Sequence, residues 1–178
     1  MKAVMTIVLV IAVYGFSFPQ SFKSSSSEVS FFSSAPLEDI TAKNNKASSL
    51  FNAETGEVAF VVPIKGFQFR KSLMQEHFNE NYMESDKYPE ATFEGTLSGY
   101  DLDRSGSQQA VAVGKMTIHG VTRQVKIEGV LNSSSGGLTM EAKFPIRVAD
   151  YDIDIPTVVF YNIAEVVEVS VRFNYQEI

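Results

Sequence analysis

Lys115–Ile127 reads KMTIHGVTRQVKI. Ahead of its centre, Met116 and Ile118 fall on one face at a spacing of two. Beyond it, Val125 and Ile127 do the same. Two period-two runs around a short polar centre mark a pair of antiparallel strands joined by a tight reversal. If the chain turns within His119–Thr122, all four apolar side chains reach one face. Gly120 gives the backbone the freedom such a turn needs, and the His and Thr side chains can bond main-chain groups there. The competing reading makes His119 a metal ligand or a catalytic base. A base needs a partner within hydrogen-bond reach, and the neighbouring sequence offers none. His119 therefore reads as a structural hydrogen-bonding residue at a hairpin corner.

The alternation extends in both directions. Upstream, Glu57–Ile64 (EVAFVVPI) sets Val58, Phe60, Val62 and Ile64 on one face, with Pro63 placing the strand at an edge or near its end. Phe93 and Leu97 fall together within Ala91–Tyr100. Downstream come Leu138, Met140, Ala142 and Phe144, then Val167, Val169, Val171, Phe173 and Tyr175. Turn residues fall at Asp103–Ser107 and Ser133–Gly137. Short alternating strands separated by turns indicate an antiparallel barrel or sandwich. Val29 and Phe31 share a face after Glu28. Asp39–Ser49 reads as an exposed strand in which Ile40 and Ala42 alternate. Lys71–Met83 breaks the pattern: Met74, Phe78 and Tyr82 recur at helical spacing, and Ser72 with Gln75 has the spacing of a capping box.

The chain's 178 residues suit one domain behind a targeting segment. Residues 1–20 read as a secretory signal peptide: Lys2, an apolar run over Ala3–Phe16, and small residues Gly15 and Ser17 placed for cleavage after Ser17. The run is shorter than the about 20 apolar residues a membrane span needs, so no stable membrane insertion is expected. Residues 21–27, with four consecutive serines, read as a flexible lead-in, and 28–178 as the folded domain. A net charge of −6 opposes binding of nucleic acid and anionic lipid head groups. The absence of cysteine excludes disulfides, thiolate metal sites, Cys nucleophiles and a lipoprotein anchor. There is no H-E-x-x-H, no G-x-S-x-G and no Walker loop. An enzyme or metal site would have to be assembled from His77, His119 and a carboxylate such as Glu76 or Asp150; no metal and no cofactor is expected.

MTIHGVTRQVKIEG (Met116–Gly129) resembles the signature of the YceI-like family, in which a strand ending in L-T-I-H-G-V-T-(R/K)-x-V leads into a second strand. YPEATFEG (Tyr88–Gly95) resembles the family's Y-P-x-A-x-F segment. LMQEHFNENYMESDKYPEA fits the helical stretch before it, where many members carry D-x-H-L-x-S-x-x-F-F-D. FPIRVADYDI and VVEVSVRFNY fit the last strands. The resemblance covers residues 28 to 175 and departs at Met116, where Leu is usual, and in the helical segment. It implies an all-β, eight-stranded antiparallel lipocalin-like barrel with a short helix near the mouth. It also implies a polyisoprenoid held inside, no established catalytic residues, and a periplasmic or secreted location.

The expectation is a non-enzymatic protein that binds, stores or transports a long-chain apolar lipid, polyisoprenoid or isoprenoid-quinone in type, in the cell envelope. Because one face of each strand must line a closed barrel, the expected ligand-facing set is Phe60, Val62, Phe93, Leu97, Met116 and Ile118, with Phe67, Phe69, Met74 and Phe78 near the mouth. Such a wall has no charged group, so binding would rest on apolar burial. Two alternatives stand beside this. The same side chains can fill the barrel as the dry core of a structural or stress-related interaction protein, or an enzyme can act on such a lipid. The assembly is open, a homodimer included.

Overall fold

The computed structural model describes residues 20–34, 39–134, 137–155 and 164–178. The strands are β1 (Ser21–Ser33), β2 (Ile40–Asn44), β3 (Ser48–Asn52), β4 (Glu57–Pro63), β5 (Gln68–Phe69), β6 (Glu90–Ser98), β7 (Gly106–Ile118), β8 (Val121–Ser134), β9 (Gly137–Arg147) and β10 (Val166–Glu177). A short helix, α1 (Ser72–His77), lies between β5 and β6. Neighbours run β10-β9-β8-β7-β6-β4-β3-β1, and a β1–β10 pairing closes the circuit. All pairings are antiparallel. The result is an eight-stranded barrel, a size whose interior is filled by side chains or holds one small ligand. β2 and β5 extend the wall at one end: β2 pairs with the last residues of β1, Val29–Ser33, and β5 pairs with β2.

The hairpin of β7 and β8 is in register from Ile118–Val121 at its tip to Gly106–Ser133 at its base. Its turn is two residues, His119 (φ 50) and Gly120 (φ 77). Two successive positive φ angles define the primed turn that matches the twist of paired strands. The turn is tighter than a His119–Thr122 reversal, since Thr122 already pairs with Thr117. A Cβ on Gly120 would stand 2.5 Å from a ring carbon of Tyr88, so packing as well as backbone geometry requires glycine there.

Two expectations need correction. The serines of residues 21–27 are the first half of β1, not a flexible lead-in. Strand pairing uses main-chain groups, and this stretch has neighbours on both edges, β10 along its length and β3 at Ser21–Lys23. Phe22 is buried, the Ser24 hydroxyl accepts from the Ser49 amide at 2.9 Å, and Ser27 donates to the Ala47 carbonyl at 2.7 Å. Asp39–Ser49 is not one exposed strand. It holds β2 and the start of β3, and Ile40, Ala42 and Asn44 face inward, fully buried. Of the two places Pro63 allowed, an edge or the strand's end, the second holds: β3 and β6 flank β4, and it ends at Pro63. The leader segment lies outside the described residues apart from Gln20, as do residues 135–136 of the Ser133–Gly137 turn. Among the described residues no helix is long and apolar enough to cross a membrane.

One end of the barrel is packed shut. Phe51, 1% exposed, meets Phe22, Tyr100 and Tyr175 at ring-centroid distances of 6.0, 5.4 and 6.5 Å. Tyr175 shares a 2.6 Å hydrogen bond with Ser49, and burial holds its phenol far above the ordinary tyrosine range. A buried hydroxyl needs such a partner, and this pair ties β3 to β10 across the closed end.

Candidate functional site: an apolar cavity at the open end

Away from that plug the inward side chains leave space between them, although Phe60 still meets Phe93 and Phe173 at ring-centroid distances of 6.0 and 4.8 Å. A cavity of about 220 Å³ lies between the upper strands and α1, walled by Val29, Phe31, Val62, Ile64, Phe93, Met116, Ile118, Phe144, Ile146, Val167 and Val169 among others. Its polar lining is sparse: among the described residues it is Ser33, Lys71, His77, Tyr82 and Thr92, with no carboxylate. The Ser33 hydroxyl already accepts the Ala164 amide at 2.8 Å. Exposed Lys71 and Leu73 mark the mouth. A smaller cavity of about 110 Å³ lies deeper, walled by Phe60, Leu97, Ala110, Ala112, Met140, Phe173 and neighbours.

The roof is built from aromatic rings. Phe78 stacks on Phe31 at 5.5 Å and meets Phe67 at 5.6 Å and Phe69 at 5.0 Å. Pairs of this kind contribute about 0.5–1.5 kcal/mol each beyond area burial. They join β1, the segment after β4, β5 and the helix. That helix is not continuous over Lys71–Met83. α1 ends at His77 and a π-helical turn follows over Phe78–Tyr82. The capping box does not form: Lys71 is the N-cap, and the Gln75 side chain accepts the Phe69 amide at 3.2 Å. Pinning β5 takes the Gln75 side chain away from the cap. The Met74–Phe78–Tyr82 stripe still faces the cavity.

All ten residues expected to face a ligand lie on these walls. Val62, Phe67, Phe69, Met74, Phe78, Phe93, Met116 and Ile118 line the upper cavity; Phe60 and Leu97 line the lower one. The β9–β10 wall, with Phe144, Ile146, Val167 and Val169, was absent from the expected set, as was Phe31. Their signal was the same period-two alternation, but nothing in the sequence says which strands of a barrel flank its mouth.

A model of the YceI-like domain matches residues 21–175. The chain belongs to the YceI-like family. Among solved structures it is similar to a polyisoprenoid binding domain from Saccharophagus degradans implicated in plant cell wall breakdown. That match has a TM-score of 0.75 at 16% identity, covering 88% of this chain and 98% of that one. It is also similar to Burkholderia cenocepacia BcnA, with a TM-score of 0.71 at 17% identity, covering 83% and 95%. A Campylobacter jejuni YceI protein aligns with a TM-score of 0.51 at 12% identity over 98% and 93% of the two chains. At these identities the likeness establishes the fold. Among curated proteins no relative matches the chain.

The two histidines of this YceI-like chain are placed differently. His77 sits on α1 and lines the upper cavity. His119 stands at the hairpin tip. A carbonyl can only accept, so its Nδ1–H donates to Tyr151 O at 3.2 Å, and its Nε2 lies 3.1 Å from a Glu84 carboxylate oxygen. The Tyr88 ring packs edge-on at 4.5 Å between centroids. His119 thus ties the β7–β8 hairpin to the segments after the π turn and after β9. Among the described residues no three His, Asp or Glu side chains converge as a metal site requires. His119→Ala is expected to lower stability by about 1–3 kcal/mol, the cost of leaving the half-buried Tyr151 carbonyl without its donor and of losing the Tyr88 ring contact, with lipid binding kept. Urea melts and a binding titration on one preparation check both halves.

Proposed function

We propose that this protein binds, stores or carries a long-chain apolar lipid of the polyisoprenoid or isoprenoid-quinone type in the cell envelope, without catalysing a reaction. The observation that carries this is the 220 Å³ cavity with almost wholly aliphatic and aromatic walls. Well-packed interiors leave few voids larger than a water molecule, and a cavity of about 150 Å³ lined by such residues takes up benzene. Each 100 Å² or so of apolar ligand surface withdrawn from water contributes about 2.5 kcal/mol, so affinity needs no charged contact. The Saccharophagus domain, described as polyisoprenoid binding, shares the fold. The contact set is the ten residues named above, joined by Phe31 and the β9–β10 wall. The leader-like residues 1–20 support a periplasmic or secreted protein.

Incubation with farnesol followed by native mass spectrometry tests this. One farnesol per chain is the expected result. Absence of any adduct at ligand excess, with the fold intact by circular dichroism, would leave a filled barrel in its place.

A further inference from the structure

The upper and lower cavities share three wall residues: Phe93, Met116 and Phe144. Phe93 and Met116 are cross-strand partners on β6 and β7, both buried, and Phe144 comes from β9. These side chains therefore form a constriction between two chambers. Below it three small residues, Ala110, Ala112 and Ala142, stand in the wall among larger ones such as Phe60, Leu97, Met140 and Phe173. A barrel end meant only as core would be filled, because a dry void forfeits the dispersion contacts of its lining. The closed end of this same barrel is filled, by Phe51 and Tyr175. Here about 110 Å³ is left empty next to the constriction, with alanines at three of the wall positions. The two chambers together reach only the lower end, about 300 Å³, of the usual range for small-molecule sites. Either one alone falls short of it.

Of the three side chains, Met116 is the unbranched one. With three rotatable bonds and a soft thioether it can change its path at little cost, whereas a packed phenyl ring cannot. We propose that Met116, set between Phe93 and Phe144, is a chain-length gate. A short apolar ligand occupies the upper chamber alone, and a longer one displaces the Met116 side chain and threads into the lower chamber. The inference rests on the lipid-binding reading and adds the residue that determines which chain lengths bind tightly.

Calorimetric titration for affinity and stopped-flow mixing for entry rate, with geraniol, farnesol and geranylgeraniol, test it on the wild type, Ala112→Leu and Met116→Ala. Wild-type affinity is expected to rise along the series. Ala112→Leu fills the lower chamber from a wall position, so geraniol binding should be unchanged while geranylgeraniol binding falls at least about tenfold, the equivalent of roughly two unburied methylenes. Met116→Ala opens the constriction, so geranylgeraniol should bind at least as tightly as to wild type and enter faster. If Ala112→Leu lowers all three affinities equally, or leaves the rise with length intact, the gate is wrong and lipid binding stands. Should Ala112→Leu fail to fold, Met116→Ala decides alone: slower entry of geranylgeraniol, or a rate equal to wild type, refutes the gate. Failure of all three alcohols to bind the wild type removes the lipid-binding reading and the gate with it.

Discussion

Phe51→Ala is expected to lower the free energy of unfolding by about 3–5 kcal/mol and to leave lipid binding nearly unchanged. Phe51 is 1% exposed and lines neither chamber. Its ring is the centre of the closed end, with Phe22, Tyr100 and Tyr175 around it. Truncation removes the transfer energy of a phenyl group and leaves a hole that strands on both sides cannot close. It also removes a packing neighbour of Tyr175, whose hydrogen bond to Ser49 joins β3 and β10. Urea unfolding gives the stability change, and titration of the folded variant with farnesol gives the second half. A small stability loss with lost binding would mean that the ligand site and the plug are at the same end.

Met116→Trp is expected to do the opposite. The added indole volume enters space that belongs to both chambers. Where a side chain grows into a packed core, strain costs typically 1–3 kcal/mol. Growing into an empty cavity costs little and can add contacts. The variant should therefore melt within about 1 kcal/mol of wild type while farnesol affinity drops more than about tenfold, as the ring takes the ligand's place. Melting curves with and without farnesol read both quantities, because a ligand bound only to the folded state raises the midpoint. A strongly destabilised variant would mark the region as packed core.

Much of this is legible in the sequence. Period-two alternation marked the strands because each has one wet and one dry face, and Gly120 marked the reversal within His119–Thr122, though not that it is confined to His119 and Gly120. The helical stripe of Met74, Phe78 and Tyr82 located the roof. Three features were hidden. Ser21–Ser27 forms strand through main-chain bonds on both edges, which leave no trace in side-chain hydropathy. The break from α1 into a π turn and the diversion of Gln75 to the Phe69 amide accompany the packing of Phe78 on Phe31, Phe67 and Phe69, contacts of which helical periodicity carries no record. The split into two chambers depends on which inward positions share a level, and register across the barrel sets that. Alternation alone distinguishes in from out, not filled from hollow.

The central claim is that the open end of this barrel is hollow so that a lipid can occupy it. The most direct measurement is native mass spectrometry of the protein purified without detergent, before and after extraction with organic solvent, with the extract analysed by lipid mass spectrometry. A mass excess of one apolar lipid per chain before extraction, gone afterwards and restored by farnesol, is the predicted result. A mass equal to the bare chain throughout, with no lipid in the extract and no uptake of farnesol, would contradict it.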